Sequence, residues 1–378
     1  MNDLSNPAKT VGPAPAGPVR PITVVVPLPP SYRGGTEEYA YRLIEQYSRT
    51  EPVQVLTTRV RVNDNAAALS VGSASVTSLN GRELFERPLV SGAAAWRTLR
   101  DAVTASRVVQ LHMPFPFVER RVCRWAQAAG VPTVLTYHMD AEFGTSRVAG
   151  LVTWAYRTFS SVPALQRCDV VVSNSLGYAR ASPVLTRFLP KVRVIFQGID
   201  ASRLVATAPG GEPLLRPTDA SARKVVFIGR LVPYKGLPYL LEAVAKLRKG
   251  GEAVELFIAG KGPAMAELRS RADALGLPPA VQFLGFVPDD DLPRLYREAD
   301  VVVSSSISLL ESTPITLMEA MAIGTPVVGT SLPGADETLP NDGIYGRLVP
   351  PKDSDALAEA IRALVHRSRP ARAIAVRS

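Results

Sequence analysis

The stretch Glu-Ser-Thr-Pro-Ile-Thr-Leu-Met-Glu-Ala-Met-Ala-Ile-Gly, residues 311–324, gives the clearest indication of the fold. Thr313 is a residue type that caps backbone N–H groups at a helix start, and Pro314 suits the first helical position, where no N–H donor is needed. Apolar residues recur at helical spacing until the final glycine, which is typical of a helix end. The stretch therefore predicts a helix with Glu311 one turn before it and Glu319 about one turn inside it.

The start of this predicted helix is a place where a phosphate can bind. The first backbone N–H groups, at Ile315 and Thr316, have no partner one turn back, and the helix dipole adds positive potential there. The carboxylates of Glu311 and Glu319 can accept hydroxyl groups on either side of a diphosphate. From these residues alone, a nucleotide-sugar pocket and an ordinary αβ unit with two exposed glutamates are equally good interpretations.

The spacing of Glu, seven residues and Glu, followed by Ala-Met-Ala-x-Gly-x-Pro-Val-Val, resembles the donor-site motif of retaining glycosyltransferases of family 4, which have the GT-B fold. The resemblance extends over about residues 22–365 and implies an α/β protein with two doubly wound, Rossmann-like domains that face a cleft. It implies that Glu311 holds sugar hydroxyls and that Glu319 holds the ribose. It further implies a nucleotide-sugar co-substrate, retention of configuration, no cofactor and no required metal.

The composition agrees with a globular protein of two domains. The chain has 378 residues, of which 46% are hydrophobic and 20% charged, and this length is too great for a single core. No apolar run approaches the ~20 residues of a membrane-spanning helix, and the N-terminus lacks the pattern of a signal peptide, so we expect a cytoplasmic protein. Two cysteines and three histidines exclude a disulfide framework and a histidine-rich metal site.

Strand-like apolar runs alternate with helix-length segments along most of the chain, which predicts the doubly wound α/β class. These runs lie at residues 22–28, 53–57, 108–112, 133–137, 170–173 and 192–196, and then at 225–229, 254–259, 281–286 and 301–304. The predicted organisation is a disordered tail (1–20), an acceptor-side domain (21–200), a linker (201–222), a nucleotide-sugar domain (223–367) and a basic tail (368–378).

Two features of the first half lie where ligands of such sheets collect, at the ends of strands. The pair Gly34-Gly35 separates the first strand from a helix, so that backbone N–H groups there can approach an anion, although many such turns hold glycines merely for tightness. His112 ends a strand, as does His138, and a lone histidine is usually structural. The resemblance implies that Gly34 and Gly35 line the cleft and that His112 faces the catalytic centre.

The segment Gly229-Arg-Leu-Val-Pro-Tyr-Lys-Gly places two cations at the carboxyl edge of the second sheet. Isolated basic residues are more often solvated, but Arg230 and Lys235 are well placed to neutralise a diphosphate. The segment matches the family pattern Gly-Arg-Leu-x-x-x-Lys-Gly, in which this arginine and lysine bind the leaving group. The resemblance therefore implies that both residues, with Glu311 and His112, belong to the catalytic set.

Further donor contacts are implied by the resemblance alone. Lys261 lies in a second glycine-rich turn that matches a family pattern, although it could simply be exposed to solvent. Phe286 and Val287 follow the strand at which the family holds the nucleotide base. Thr313-Pro314 replaces the Phe-Gly that the family often has beside the sugar, so the transferred sugar stays open between GDP-mannose and a UDP-hexose.

The net charge of +9 is concentrated in the first half, where residues 1–200 hold 22 Lys/Arg against 14 Asp/Glu, a balance of +8. Trp96, Leu99 and Val103 recur at helical spacing beside arginines, as in a helix that lies on an anionic membrane, although ordinary core packing gives the same spacing. We expect a protein peripheral to the inner face of the plasma membrane that glycosylates a glycan or a lipid-linked acceptor. No motif supports nucleic-acid binding.

Three alternatives to a glycosyltransferase stay open at this level. A sugar-nucleotide epimerase or a phosphorylase has the same architecture, but a phosphorylase needs pyridoxal phosphate on a lysine, and epimerases lack this set of an arginine, a lysine and two glutamates. A non-catalytic protein that binds sugar nucleotides is the third. The presence of Arg230, Lys235, Glu311 and Glu319 favours the transferase.

Overall fold

The computed structural model describes residues 19–30, 35–59, 71–84, 87–144, 146–206, 212–311 and 313–366. The predicted N-terminal tail up to residue 18, Gly34 and the basic C-terminal tail lie outside the described residues. By internal packing the chain divides into two units, Met1–Leu135 with Phe159–Asp169 and Thr136–Thr158 with Val170–Ser378.

The first sheet has eight strands in the order β4-β3-β2-β1-β5-β6-β7-β8. They are β1 (Ile22–Val25), β2 (Val53–Arg59), β3 (Ser75–Leu84), β4 (Arg87–Val90), β5 (Val108–Met113), β6 (Thr133–Tyr137), β7 (Val170–Ser173) and β8 (Val192–Val194). Strand β1 pairs in parallel with β2 and β5, whereas β3 and β4 are antiparallel. The valines of β1 are completely buried, as expected for a strand covered on both faces.

Helices connect most of these strands. They are α1 (Gly35–Tyr47), α2 (Ala93–Ala105), α3 (Glu119–Ala128), α4 (Arg147–Tyr156), α5 (Val162–Arg167), α6 (Leu176–Ala181) and α7 (Ala201–Ala206). A π-helical turn, Arg157–Ser161, joins α4 to α5, and a 3₁₀ segment, Leu185–Lys191, precedes β8. Helix α7 occupies the first part of the stretch in which the sequence predicts a linker.

The second sheet has six strands in the order β11-β10-β9-β12-β13-β14, and every pairing is parallel. The strands are β9 (Arg223–Ile228), β10 (Val254–Ala259), β11 (Val281–Gly285), β12 (Val301–Ser304), β13 (Val327–Thr330) and β14 (Gly346–Val349). The helices are α8 (Leu237–Lys249), α9 (Met265–Ala274), α10 (Leu292–Glu298), α11 (Ile315–Ile323), α12 (Ala335–Thr338) and α13 (Ser354–Val365). The predicted α/β class, with two largely parallel sheets, is confirmed.

The predicted membrane-facing stripe of the first half is wrong in its apolar part. Leu99 and Val103 of α2 are completely buried, so their helical spacing reflects core packing. Trp96 is half-buried, and the guanidinium of Arg121 lies 4.1 Å from the centre of its ring. Among the residues that the structure describes, no helix is long and apolar enough to cross a membrane.

Both cysteines lie in the core, as their isolated positions in the sequence indicate. Cys123 and Cys168 are buried and not bonded to each other. Burial raises the pKa of the Cys123 thiol well above its usual range, so this thiol stays protonated and unreactive.

Candidate active site

The predicted donor-site residues of the second unit follow the carboxyl ends of neighbouring strands in one parallel sheet. Arg230 follows β9, Lys261 follows β10, Phe286 follows β11, and Glu311 lies in the loop after β12. Parallel strands end at the same edge of their sheet, and this edge is where open α/β sheets bind ligands. Residues that are up to 81 positions apart in sequence (311 − 230) are thereby brought to one place.

An ion pair between Lys235 and Glu311 lies at the centre of this edge. The Lys235 ammonium donates to Oε2 of Glu311, and their side chains are only 16% and 13% exposed. Burial lowers the pKa of Lys235, but the Glu311 carboxylate and the Tyr234 side chain raise it by more, so the net shift is upward. The exposed Arg230 guanidinium opposes this rise. A permanently charged ammonium therefore lies beside a second cation, which is an arrangement suited to a diphosphate.

Backbone contacts between two loops fix the position of Lys235. The residue ends a 3₁₀ turn, Pro233–Lys235, whose Lys235 carbonyl accepts from Ser305 Oγ at 2.9 Å. The next residue, Gly236, has φ = 64°, and a Cβ there would collide with the Ser305 carbonyl. Only glycine fits this approach of the two loops, which explains why a glycine follows the lysine.

Buried hydroxyl groups hold Glu311 from the other side, and sequence reasoning missed them. Ser306 Oγ donates to Glu311 Oε2 at 3.1 Å, and Thr330 Oγ1 at the end of β13 donates to the Ser306 carbonyl at 2.5 Å. Both side chains are at least 95% buried. The serine run directly after β12 is the signal that could have identified Ser306. With Oε2 bound twice, Glu311 Oε1 has no hydrogen-bond donor within the described ranges.

The start of α11 differs from the sequence prediction. The helix begins at Ile315, Pro314 is its N-cap, and no side chain caps it. Thr313 is buried, and its hydroxyl has no hydrogen-bond partner among the described residues, because the side chain points inward. The N–H of Ile315 donates to the Thr313 carbonyl, and that of Leu317 to Pro314. The first turn therefore has fewer bare N–H groups than the sequence predicts.

Glu319 lies on the second turn of α11 and is anchored by a tyrosine that the sequence gave no reason to select. The hydroxyl of Tyr296, on α10, donates to Glu319 Oε2 at 2.7 Å. Burial and the Glu319 carboxylate both raise the pKa of Tyr296 well above its usual range, so this hydroxyl is always a donor. The carboxylate is thus oriented while Glu319 remains partly exposed.

The two glycine-rich turns after β9 and β10 pack directly against each other. The N–H of Leu231 donates to the Lys261 carbonyl at 3.0 Å, and that of Gly229 to Ala259 at 3.0 Å. A Cβ at Gly260 would collide with the Gly229 carbonyl. These glycines therefore allow backbone packing, and that packing places Arg230 and Lys261 side by side along the edge.

The predicted base-binding residues stand where β11 ends. Gly285 has φ = 72°, which turns the chain so that Phe286 points outward, with 54% of its surface exposed, while Val287 packs onto the core. The Lys261 side chain passes beside Gly285. An exposed aromatic ring next to a flexible cation is compatible with a planar base.

In the first unit, His112 is completely buried in β5, and its ring contacts Tyr39 edge-on with 6.0 Å between centroids. Gly35 begins α1 and is exposed. His138, directly after β6, is 4% exposed, and burial lowers its pKa to about 3. The imidazole of His138 is therefore neutral at physiological pH.

The buried His138 predicts a specific pH dependence of stability. An unfolded histidine binds a proton below about pH 6.5, whereas folded His138 does so only near pH 3. The stability associated with neutral His138 is complete above pH 6.5 and is lost as the pH falls, by about 2 kcal/mol between pH 7 and pH 5. Denaturant unfolding should show that His138→Gln loses this part of the slope, while His366→Gln, at an exposed histidine, keeps it. Equal slopes for both variants would contradict the assignment.

Two cavities are relevant to the choice of site. A small one is lined by Glu311, Ser306, Pro314 and Thr330. A larger one of about 450 Å³, beside β14 and α13, is lined by Asn341, Arg347 and Glu359 and contains none of the predicted site residues. Within the described ranges, no cluster of three His, Cys, Asp or Glu residues could hold a metal ion.

Comparison with known proteins identifies the family. Residues 217–376 match the model of glycosyl transferases group 1, and residues 33–203 match that of glycosyltransferase family 4. The D-rhamnosyltransferase WbpZ of Pseudomonas aeruginosa is 30% identical over 269 residues, which cover 71% of this chain and 67% of that protein. The chain belongs to glycosyltransferase family 4. Family 4 enzymes are retaining and metal-independent transferases, so membership argues against the epimerase and phosphorylase alternatives.

Other matches agree with this family 4 assignment. The O-antigen chain mannosyltransferase C of Escherichia coli is 29% identical over 263 residues, 68% of this chain and 65% of that protein. The crystal structure of Anabaena HepE in complex with UDP-glucose has a TM-score of 0.66 at 20% identity and covers 92% of this chain and 90% of that one. The latter likeness confirms the predicted GT-B fold.

Proposed function

We propose that this family 4 enzyme transfers a hexose from GDP-mannose or a UDP-hexose to a glycan or lipid-linked acceptor, in the synthesis of a cell-surface polysaccharide or glycolipid. The observation that carries the proposal is the Lys235–Glu311 pair at the carboxyl edge of the second sheet, with Arg230 beside it and α11 directly after it. The named activities of the rhamnosyl- and mannosyltransferase relatives support the acceptor class.

In the proposed reaction the bond between the sugar C1 and the diphosphate oxygen breaks while a bond from C1 to an acceptor oxygen forms on the same face. Negative charge grows on the diphosphate, and Arg230 and Lys235 stabilise it electrostatically. The leaving phosphate takes the proton of the acceptor. This step requires cations fixed in advance, and the short supports of Lys235 supply that order.

The carboxylates have separate roles in this proposal. Glu311 has one oxygen held by Lys235 and Ser306, and its other oxygen accepts from sugar hydroxyls. Glu319 accepts from the ribose, with Tyr296 keeping it oriented. Ile315, Thr316 and Pro314 contact the phosphates at the start of α11.

The remaining proposed contacts complete the two ends of the substrate. Phe286 and Val287 bind the base, with Gly229 and Lys261 on the phosphate side. On the acceptor side we place His112, Gly34 and Gly35 of the first unit. The enzyme is proposed to work in the cytoplasm, at the inner face of the plasma membrane.

A panel of nucleotide sugars tests the proposal. The purified chain, in excess EDTA, is incubated with GDP-mannose, UDP-glucose, UDP-galactose and UDP-N-acetylglucosamine, with and without a membrane extract that supplies acceptor lipids, and release of nucleoside diphosphate is measured. We expect one donor to be turned over at least about tenfold faster than the others, since a sugar hydroxyl that leaves Glu311 unpaired costs on the order of 1 to 3 kcal/mol. No turnover of any donor, together with no thermal shift by UDP or GDP, would overturn the proposal.

A further inference from the structure

Helix α4 presents an apolar face that the described part of the chain leaves open. Val148 and Leu151 are each 64% exposed and Trp154 is 56% exposed. At 100° per residue these three side chains fall within ~120° of the helix circumference. Ala149 and Tyr156, on the opposite face, are buried in a small core. The helix is therefore anchored by one face and shows an apolar stripe on the other.

The exposure of three large apolar side chains within seven residues requires an explanation. Single exposed apolar residues are ordinary, but a contiguous group on one face usually marks a surface that contacts something else. Trp154 adds a specific feature, because the indole ring has an apolar body and one N–H group and is favoured where an apolar phase meets water.

The charge around this face is positive. Residues 143–168 contain three arginines and no aspartate or glutamate. Arg147 is exposed at the start of α4 and, by its angular position, lies beside Val148, Leu151 and Trp154. An apolar stripe bordered by arginine and free of carboxylates is complementary to an anionic lipid surface.

A second copy of the chain fits this face less well. Self-association about a two-fold axis would bring the arginines of two copies together, with no carboxylate in the segment to pair with them. Three side chains also provide far less than the ~800 Å² per partner of a standard stable interface. A lipid surface needs neither a carboxylate partner nor a large complementary area.

We propose that α4 lies in the interface of an anionic membrane, with Val148, Leu151 and Trp154 inserted among the lipids and Arg147 at the headgroups. This contact is located on a different helix from the stripe of α2 that the sequence suggested. It holds the enzyme at the surface where a lipid-linked acceptor would be found, but its existence does not depend on the identity of the donor.

Co-sedimentation with vesicles tests the contact. The full chain is mixed with vesicles of phosphatidylcholine alone or with added phosphatidylglycerol, at low and high salt. We expect binding only to the anionic vesicles and weaker binding in high salt. Leu151→Ser should lower the partition coefficient on the order of tenfold, since a buried leucine is lost. Arg147→Gln should lower it about fivefold.

Two controls separate this contact from other effects. Ile344→Ser removes an equally apolar side chain that is 50% exposed elsewhere, and it should bind as the wild type does. Trp154→Phe should abolish the blue shift of tryptophan emission on anionic vesicles while the thermal midpoint of unfolding stays unchanged. The proposal is overturned if Leu151→Ser binds like the wild type, if the wild type ignores lipid charge, or if Leu151→Ser instead dissolves a dimer.

Discussion

Lys235→Ala is expected to lower kcat/KM about 30- to 1,000-fold, which corresponds to roughly 2 to 4 kcal/mol of transition-state stabilisation. The reason is that its ammonium balances charge that develops on the diphosphate only as the sugar leaves. Arg230→Ala should lose a comparable amount. Steady-state kinetics with the preferred donor of the panel measure both effects, and wild-type turnover in both variants would remove these residues from the mechanism.

The ion pair adds a second expectation for the lysine. Lys235→Ala leaves the Glu311 carboxylate, 13% exposed, without its cation. We therefore expect the free energy of unfolding to fall by on the order of 2 to 3 kcal/mol. The double variant Lys235→Ala/Glu311→Gln removes the unpaired charge, so it should regain stability but not activity. Lys246→Ala, which breaks the more exposed pair with Asp355, is the matched control and should change neither quantity appreciably.

Glu319→Gln and Glu311→Gln are expected to affect different steps. Glu319→Gln should weaken the binding of the free nucleoside diphosphate about tenfold, because a charged acceptor for the ribose is lost. Glu311→Gln should leave that affinity within about twofold but lower transfer at least about tenfold, since its partner is the sugar. Calorimetric titration and donor kinetics separate the two. Equal loss of nucleotide affinity in both variants would contradict the division of roles.

The regular part of the fold could be predicted because buried parallel strands are continuous apolar runs. Strands β10 and β12 occupy the predicted residues, and β1, β5 and β9 lie within two or three residues of them at each end. Strand β3 was missed since its sequence, Ser-Val-Thr-Ser-Leu-Asn-Gly-Arg-Glu-Leu, alternates without an apolar run. Strand β14 was missed because it has only four residues and begins with Gly-Arg.

The members of the donor site could be predicted from the sequence, but their contacts could not. The bond between Lys235 and Glu311 joins residues 76 positions apart, and it depends on how two loops meet at Gly236. The same limit applies to Thr313, whose type suggested a cap but whose side chain is buried. Local residue preference did not include the pull of the surrounding core.

The two apolar helix faces show why periodicity alone misplaces a membrane contact. Leu99 and Val103 have helical spacing and are buried, whereas Val148, Leu151 and Trp154 also have helical spacing and are exposed. The spacing states which residues share a face, and only packing decides what that face touches. The arginines beside the first stripe suggested a surface, but they lie on the solvent side of a core helix.

Calorimetric titration of the wild-type chain with UDP, GDP, ADP, CDP and dTDP, in excess EDTA, tests the central claim that the carboxyl edge of the second sheet binds a nucleoside diphosphate. The account predicts that at least one of them binds without a metal and that Glu319→Gln weakens this binding about tenfold. It would be contradicted if none of the five binds, or if the nucleotide that binds does so equally well in Glu319→Gln.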